Sequence, residues 1–179
     1  MRERLREVFD RSFSSFLERE TLNILNGTAE RNLCACWAPL LEQEAIVSGF
    51  KGYRGDADYN RMQNGRIKVM LVNGMHEVQI VCDLILHSRG AIPLCDNLIA
   101  IEMKRSTRPE GEKESDRVRL RTLTRSSFDD VWSADGVTLP EYVCGYKLGY
   151  YLEFDTRDRS FLVEQYVEGE MVGQHVQQF

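Results

Sequence analysis

The stretch that most constrains this chain is residues 78–87, where apolar side chains are not confined to alternate positions. Val78, Ile80, Cys82, Leu84 and Leu86 alternate with Gln79, Val81, Asp83, Ile85 and His87. A run that is apolar on both faces suits a strand in the middle of a sheet, covered on both sides. Successive strand side chains point to opposite faces, so Asp83 shares one covered face with Val81, Ile85 and His87. A carboxylate there costs several kcal/mol unless positive charge meets it.

A second run, residues 98–104, puts Leu98, Ala100, Glu102 and Lys104 on one face and Ile99, Ile101 and Met103 on the other. Paired strands lie about 4.8 Å apart, so pairing of the two runs brings Asp83, Glu102 and Lys104 into one small volume. Two readings are open. Two carboxylates around a divalent cation, with an ammonium beside them, satisfy every charge; an oxygen-rich site with few protein ligands and room for water suits magnesium or manganese better than zinc. The other reading is a buried structural ion pair, Glu102 with Lys104 or Asp83 with Lys104.

Asp83 followed nineteen residues later by Glu102, Met103 and Lys104 resembles the Asp, Glu-x-Lys core of the PD-(D/E)XK nuclease superfamily, the restriction-endonuclease-like fold. The phrases DLILHSRG and NLIAIEMK are similar to those of small bacterial members, in which a His-x-Arg-Gly turn links the two strands. The resemblance covers roughly residues 28–154. Cys82 stands where the superfamily's name expects Pro.

With 179 residues, 42% of them hydrophobic, the chain fits one domain, 1–179. No run approaches the length of a membrane span, and MRERLREVFDRSF is too charged for a secretory signal, so a cytoplasmic protein is expected. Five cysteines, mostly within apolar runs and without zinc-like spacing to the three histidines, suit reduced, packed thiols. The net charge of -5 argues against a generally basic nucleic-acid binder, but its distribution is uneven. Residues 104–125 hold eight Lys or Arg against four acids, whereas residues 126–179 hold three against ten. A polyanion approaching Lys104 would meet a locally favourable field, although a charge run is more commonly a solvated helix face.

Along the chain, residues 1–25 read as a helix from the three- and four-residue spacing of Leu5, Val8, Phe9, Phe13, Phe16 and Leu17. A second helix over 29–44 carries Leu33, Cys34, Trp37, Leu40 and Leu41 on one stripe, with Glu30 on the packing side of its first turn; Pro39 is expected to kink or shorten it. Residues 52–62 read as a loop or irregular edge in which Asp58 and Arg61 either pin the loop or border a groove. Asn73-Gly74 signals a hairpin between 66–72 and the run beginning at Met75, which makes three consecutive antiparallel strands ending at Lys104. A second flanking helix is expected over 112–124, then a strand over 142–154, a turn, and a last hairpin strand over 161–167 with a tail. The fold expected is therefore α/β (α+β): a central mixed β-sheet flanked by helices, with an added N-terminal helix (1–25) and C-terminal hairpin strand (155–179).

The resemblance implies an αβββαβ core and a metal-dependent nuclease, a phosphodiester hydrolase acting on nucleic acid, DNA foremost. In it Asp83, Glu102 and the Met103 carbonyl hold Mg2+ or Mn2+, Lys104 orients the attacking water or stabilises the phosphate, and Glu30 completes the metal shell. His87, Arg89, Arg61, Arg105, Lys113 and Arg117 are the candidate substrate contacts. Two alternatives stand beside it: a nuclease-fold protein that binds nucleic acid or protein without cutting, and a subunit of a defence or repair assembly, with a homodimer or a protein partner possible.

Overall fold

The computed structural model describes residues 1–59, 69–72, 76–79, 82–125 and 145–179. Two helices come first. Helix α1 (Arg2–Leu25) buries Leu5, Val8, Phe9, Ser12, Phe13 and Phe16, and helix α2 (Glu30–Val47) buries Leu33, Cys34, Trp37 and Leu41. Both stripes repeat every three or four residues, as an amphipathic helix requires. Trp37 joins the two: its ring lies 5.0 Å from Phe16 and 5.1 Å from Phe13, and its indole N–H donates to Ser12 Oγ at 3.1 Å. Ser12 thus gives a buried polar group its partner inside an aromatic core. Pro39 neither ends nor shortens α2, which runs three residues past the expected end at Glu44.

Six strands form the main sheet: β1 (Arg54–Tyr59), β4 (Cys82–His87), β5 (Asn97–Arg105), β6 (Leu148–Asp155), β7 (Ser160–Val167) and β8 (Glu170–Gln178), in that spatial order. Strands β1, β4 and β5 are antiparallel; β5 and β6 are parallel; β6, β7 and β8 are antiparallel again. The parallel step needs a crossover, and helix α3 (Glu110–Thr124) lies within it. The sheet therefore has two covered faces. Leu84, Leu86, Ile99, Ile101 and Met103 belong to the core under α1 and α2, while Ile85, Ala100, Tyr151 and Tyr166 pack with Leu120 and Leu123 of α3. Strand β5 has neighbours on both edges and helices over both faces, so Asn97 through Met103 are all buried.

The expected trio of antiparallel strands is corrected in its first member. Strands β2 (Val69–Val72) and β3 (His76–Gln79) do pair, but as a separate two-stranded sheet, and the expected Asn73-Gly74 turn lies outside the described residues. The place beside β4 belongs to β1, in the stretch expected to be a loop or irregular edge. The expected strand over 78–87 is described as β3 and β4, with residues 80–81 outside the described residues. β1 escapes a hydrophobicity reading because it is an edge strand with Asp56 and Asp58 along it. What fits it to α2 is Gly55, whose missing side chain lets it sit against helix backbone: a Cβ there would fall 2.3 Å from the Ala38 carbonyl oxygen. The last correction is at the C-terminus, where residues 170–178 form a full strand rather than a tail.

Gly55→Ala is expected to destabilise the fold by about 1–3 kcal/mol through overpacking against backbone. Gly111→Ala, in α3 with nothing within 4 Å of the new methyl, should stabilise it by about 0.5–1 kcal/mol. Urea unfolding of the two variants checks both signs.

Candidate active site

The β4–β5 register pairs Leu84 with Ile101 and Ile85 with Ala100, and its continuation sets Asp83 against Glu102. The two carboxyls are near enough to act on each other electrostatically, and Asp83 Oδ2 accepts the Met103 backbone N–H at 2.8 Å. Glu102 has no solvent exposure. Its Oε1 accepts from an Arg119 guanidinium nitrogen at 2.7 Å, whereas its Oε2 has no hydrogen-bond partner among the described residues.

Helix α3 supplies the rest of the cluster. Asp116 and Arg119, three residues apart, share one side of the helix and contact each other at 3.1 Å. Asp116 Oδ2 lies 2.9 Å from the Lys104 ammonium, a close charge contact without the alignment of a hydrogen bond. Three carboxyls, Asp83, Glu102 and Asp116, thus face two cations, Lys104 and Arg119. Among the described residues the cluster is one positive charge short.

That shortfall decides the protonation. Burial, then the Asp83 charge beside it, pushes the Glu102 carboxyl well above the usual carboxylate range, despite Arg119. Asp83 is raised by burial too, partly offset by the Met103 N–H and by Lys104. Burial works against the Lys104 ammonium, but Asp116, Asp83 and Glu102 outweigh it and raise its pKa. The Cys34 thiol is raised well above its normal value, first by burial and then by Asp83, Glu102, Asp58 and Glu30.

The other candidate residues are engaged elsewhere. Glu30 Oε1 accepts the Arg105 backbone N–H at 3.0 Å, and its Oε2 lies 3.5 Å from Arg108. It lines an open polar groove of about 540 Å³ with Arg105, Thr107 and Arg108, where the starts of α2 and α3 meet. Arg105 itself donates to the Gly27 and Thr28 carbonyls, both at 2.6 Å, and lies over the Phe154 ring. His87 and Arg89 both turn to Asp56 on β1, His87 at 2.9 Å and Arg89 through two nitrogens. That clamp, working against burial, holds the Asp56 carboxyl far below its ordinary range. Arg61 lies outside the described residues; Asp58 pairs with Arg31 of α2 instead.

The positive run of α3 is neither a free phosphate-binding strip nor a solvated face. Lys113 is buried and bonds Glu153 at 2.8 Å, and Arg117 reaches Glu164 at 3.1 Å while lying 4.4 Å over the Tyr151 ring. The acids that balance it come from β6 and β7, the acidic end of the chain, and from α3 itself, where Glu110 meets Arg117 and Glu114 meets Arg121. Arg119 is the member of the cluster that sequence reasoning missed; the Asp116-x-x-Arg119 spacing was the available signal.

Asp83 and Glu102 offer oxygen donors alone, and the free Glu102 Oε2 is aimed at no other group. Oxygen donors of this kind suit a magnesium-type ion by chemistry, although Glu102 is closed to solvent. They do not make a closed protein cage: among the described residues no group of three or more His, Cys, Asp or Glu is arranged to hold a metal. Among the described residues, too, no helix is long and apolar enough to cross a membrane. Family models, curated proteins and solved structures yield no match to this chain.

The raised carboxyls set a pH dependence for the metal-free protein. A group whose folded pKa exceeds its unfolded value, near 4.3 for Glu, contributes stability that is complete below that value and is lost as pH rises toward the folded pKa. Glu102→Gln should therefore flatten the fall in stability above about pH 4.3 and leave the metal-free protein more stable at neutral pH. Chemical unfolding in the presence of a chelator, compared across pH for the two proteins, measures that slope.

Proposed function

We propose that the chain is a metal-dependent nuclease of the PD-(D/E)XK type, cutting phosphodiester bonds of nucleic acid, DNA foremost. The observation that carries this reading is the Asp83–Glu102 carboxyl pair, one positive charge short and with Glu102 Oε2 unpartnered, beside Lys104. The order α2, β1, β4, β5, α3, β6 supports it, since an αβββαβ core is what the resemblance implies.

In this reading Asp83 and Glu102 hold Mg2+ or Mn2+, which supplies polarisation of the phosphate and a lowered pKa for a bound water. Met103 stiffens the pair by donating its N–H to Asp83. Lys104, kept protonated by Asp116, presents an ammonium to the charge that develops on phosphate. Arg119 holds Glu102 in place and balances part of its charge. Glu30 acts at the groove, positioning Arg105 and Arg108, rather than as a direct ligand. Substrate contact falls to that groove and not to Lys113, Arg117, His87 or Arg89, which are held by acids.

The same cluster favours a second reading in one respect: Arg119 already occupies Glu102, as in a nuclease-fold protein that binds without cutting. Cleavage of plasmid and single-stranded DNA with Mn2+ or Mg2+ separates the two. Wild type should cut, and Asp83→Ala and Lys104→Ala should each lose on the order of 10²-fold or more. Wild type that binds neither ion at millimolar concentration contradicts the nuclease reading.

A further inference from the structure

Strand β8 closes one end of the six-stranded sheet, and it differs from ordinary edge strands. It is nine residues long, exposed at every position, and pairs on one side with β7. Edge strands are commonly blunted by being short or by Lys, Pro or other inward charges, because unpaired N–H and C=O groups template further pairing. From Met171 to Phe179 this chain has no Lys, Arg, Asp, Glu or Pro. Met171, Val172 and Val176 are instead 45%, 52% and 60% exposed.

We propose that β8 is a self-association seam, on which two copies of this chain pair edge to edge and antiparallel about a twofold axis at Gln174. The sequence is self-complementary about that residue. Val172 and Val176 stand two positions to either side of it, so each valine meets the other valine of the second copy. Gly173 then opposes His175 and Gln174 opposes its own counterpart, so no two like charges are set face to face.

Cross-strand pairs of β-branched residues directly opposite each other are the contacts that stabilise an antiparallel ladder. Two facing glutamine amides have the donors and acceptors to bond each other. Symmetric placement of this kind is what an isologous interface needs, and a partner of unrelated sequence has no use for it.

The seam has built-in limits. The β7–β8 register runs evenly from Ser160↔Gln178 to Gln165↔Gly173 and then slips to Tyr166↔Met171, leaving Val172 as an extra residue. The bulge ends regular pairing at Val172, so the seam is the five residues from Val172 to Val176 of each copy. At the other end Phe179 packs on Phe161 at 5.3 Å and its N–H donates to the Arg159 carbonyl at 3.0 Å, which holds the strand in line to its last residue. This inference does not rest on the nuclease reading.

Size-exclusion chromatography with light scattering on the full chain, at concentrations up to about 100 µM, reads the mass. The expected value is twice the 20.7 kDa of one chain. Gln174→Lys, which sets two ammoniums opposite each other on the axis, and Val176→Lys should each return the mass to that of one chain. Val47→Lys, an exposed apolar site on α2, should leave the dimer intact. Under oxidation Gln174→Cys should give a covalent dimer that the unsubstituted chain run beside it does not, since facing strand positions fall within disulfide reach. Circular dichroism checks that each variant folds, and the cysteine variant tests the seam without a new charge. A single-chain mass at every concentration overturns the proposal. So does a dimer that both lysine substitutions leave intact, or one that Gln174→Cys does not cross-link.

Discussion

Glu102 sits at the centre of the molecule with no access to water, and much of the surrounding structure follows from meeting its charge. A buried carboxylate is tolerated when paired, protonated or bound to a metal. Here the pairing is incomplete: Arg119 takes one oxygen, the Asp83 charge lies nearby, and Oε2 has no partner among the described residues. A cluster of apolar residues of the same volume would cost the fold less. An incompletely compensated acid on the best-buried strand, with Asp83 and Lys104 beside it, marks this cluster as a candidate functional site.

The uneven charge along the chain has a structural explanation. The basic helix α3 lies over β6 and β7, whose Glu153 and Glu164 take up Lys113 and Arg117. Sequence segments of opposite sign thus become one ion-paired layer, and the field expected around Lys104 is mostly spent inside the protein. What remains open to an anion is the groove beside it, where Arg105 and Arg108 line the wall with Glu30 between them. Lys104 of the acid cluster and Arg105 of the groove are adjacent on β5.

The parts of this design that could be read from sequence were those governed by strong local periodicity. Both N-terminal helices, α3 and the pairing of β4 with β5 are all set by apolar spacing. β1 was not legible because an edge strand carrying Asp56 and Asp58 lacks an apolar signature; its position depends on Gly55 meeting Ala38 in α2, a long-range contact. The partners of His87 and Arg89 were hidden for the same reason, since Asp56 reaches them only once β1 pairs with β4. Arg119 was hidden by register between a helix and a strand. Asp83, Glu102 and Lys104 could be grouped from alternation alone, whereas the charge balance of the group needed Asp116 and Arg119.

The central claim is that the carboxyl pair is held by a proton and exchanges it for a divalent cation. Metal sites need deprotonated ligands, so binding at a raised-pKa carboxyl must release protons. The most direct measurement is calorimetric titration of Mn2+ at about pH 5.5, slightly above the ordinary range of a glutamate, in buffers of different ionisation enthalpy. The account predicts uptake of the ion with release of a substantial fraction of a proton, and loss of that release in Glu102→Gln. Binding with no dependence on buffer, or no binding at all, would contradict it.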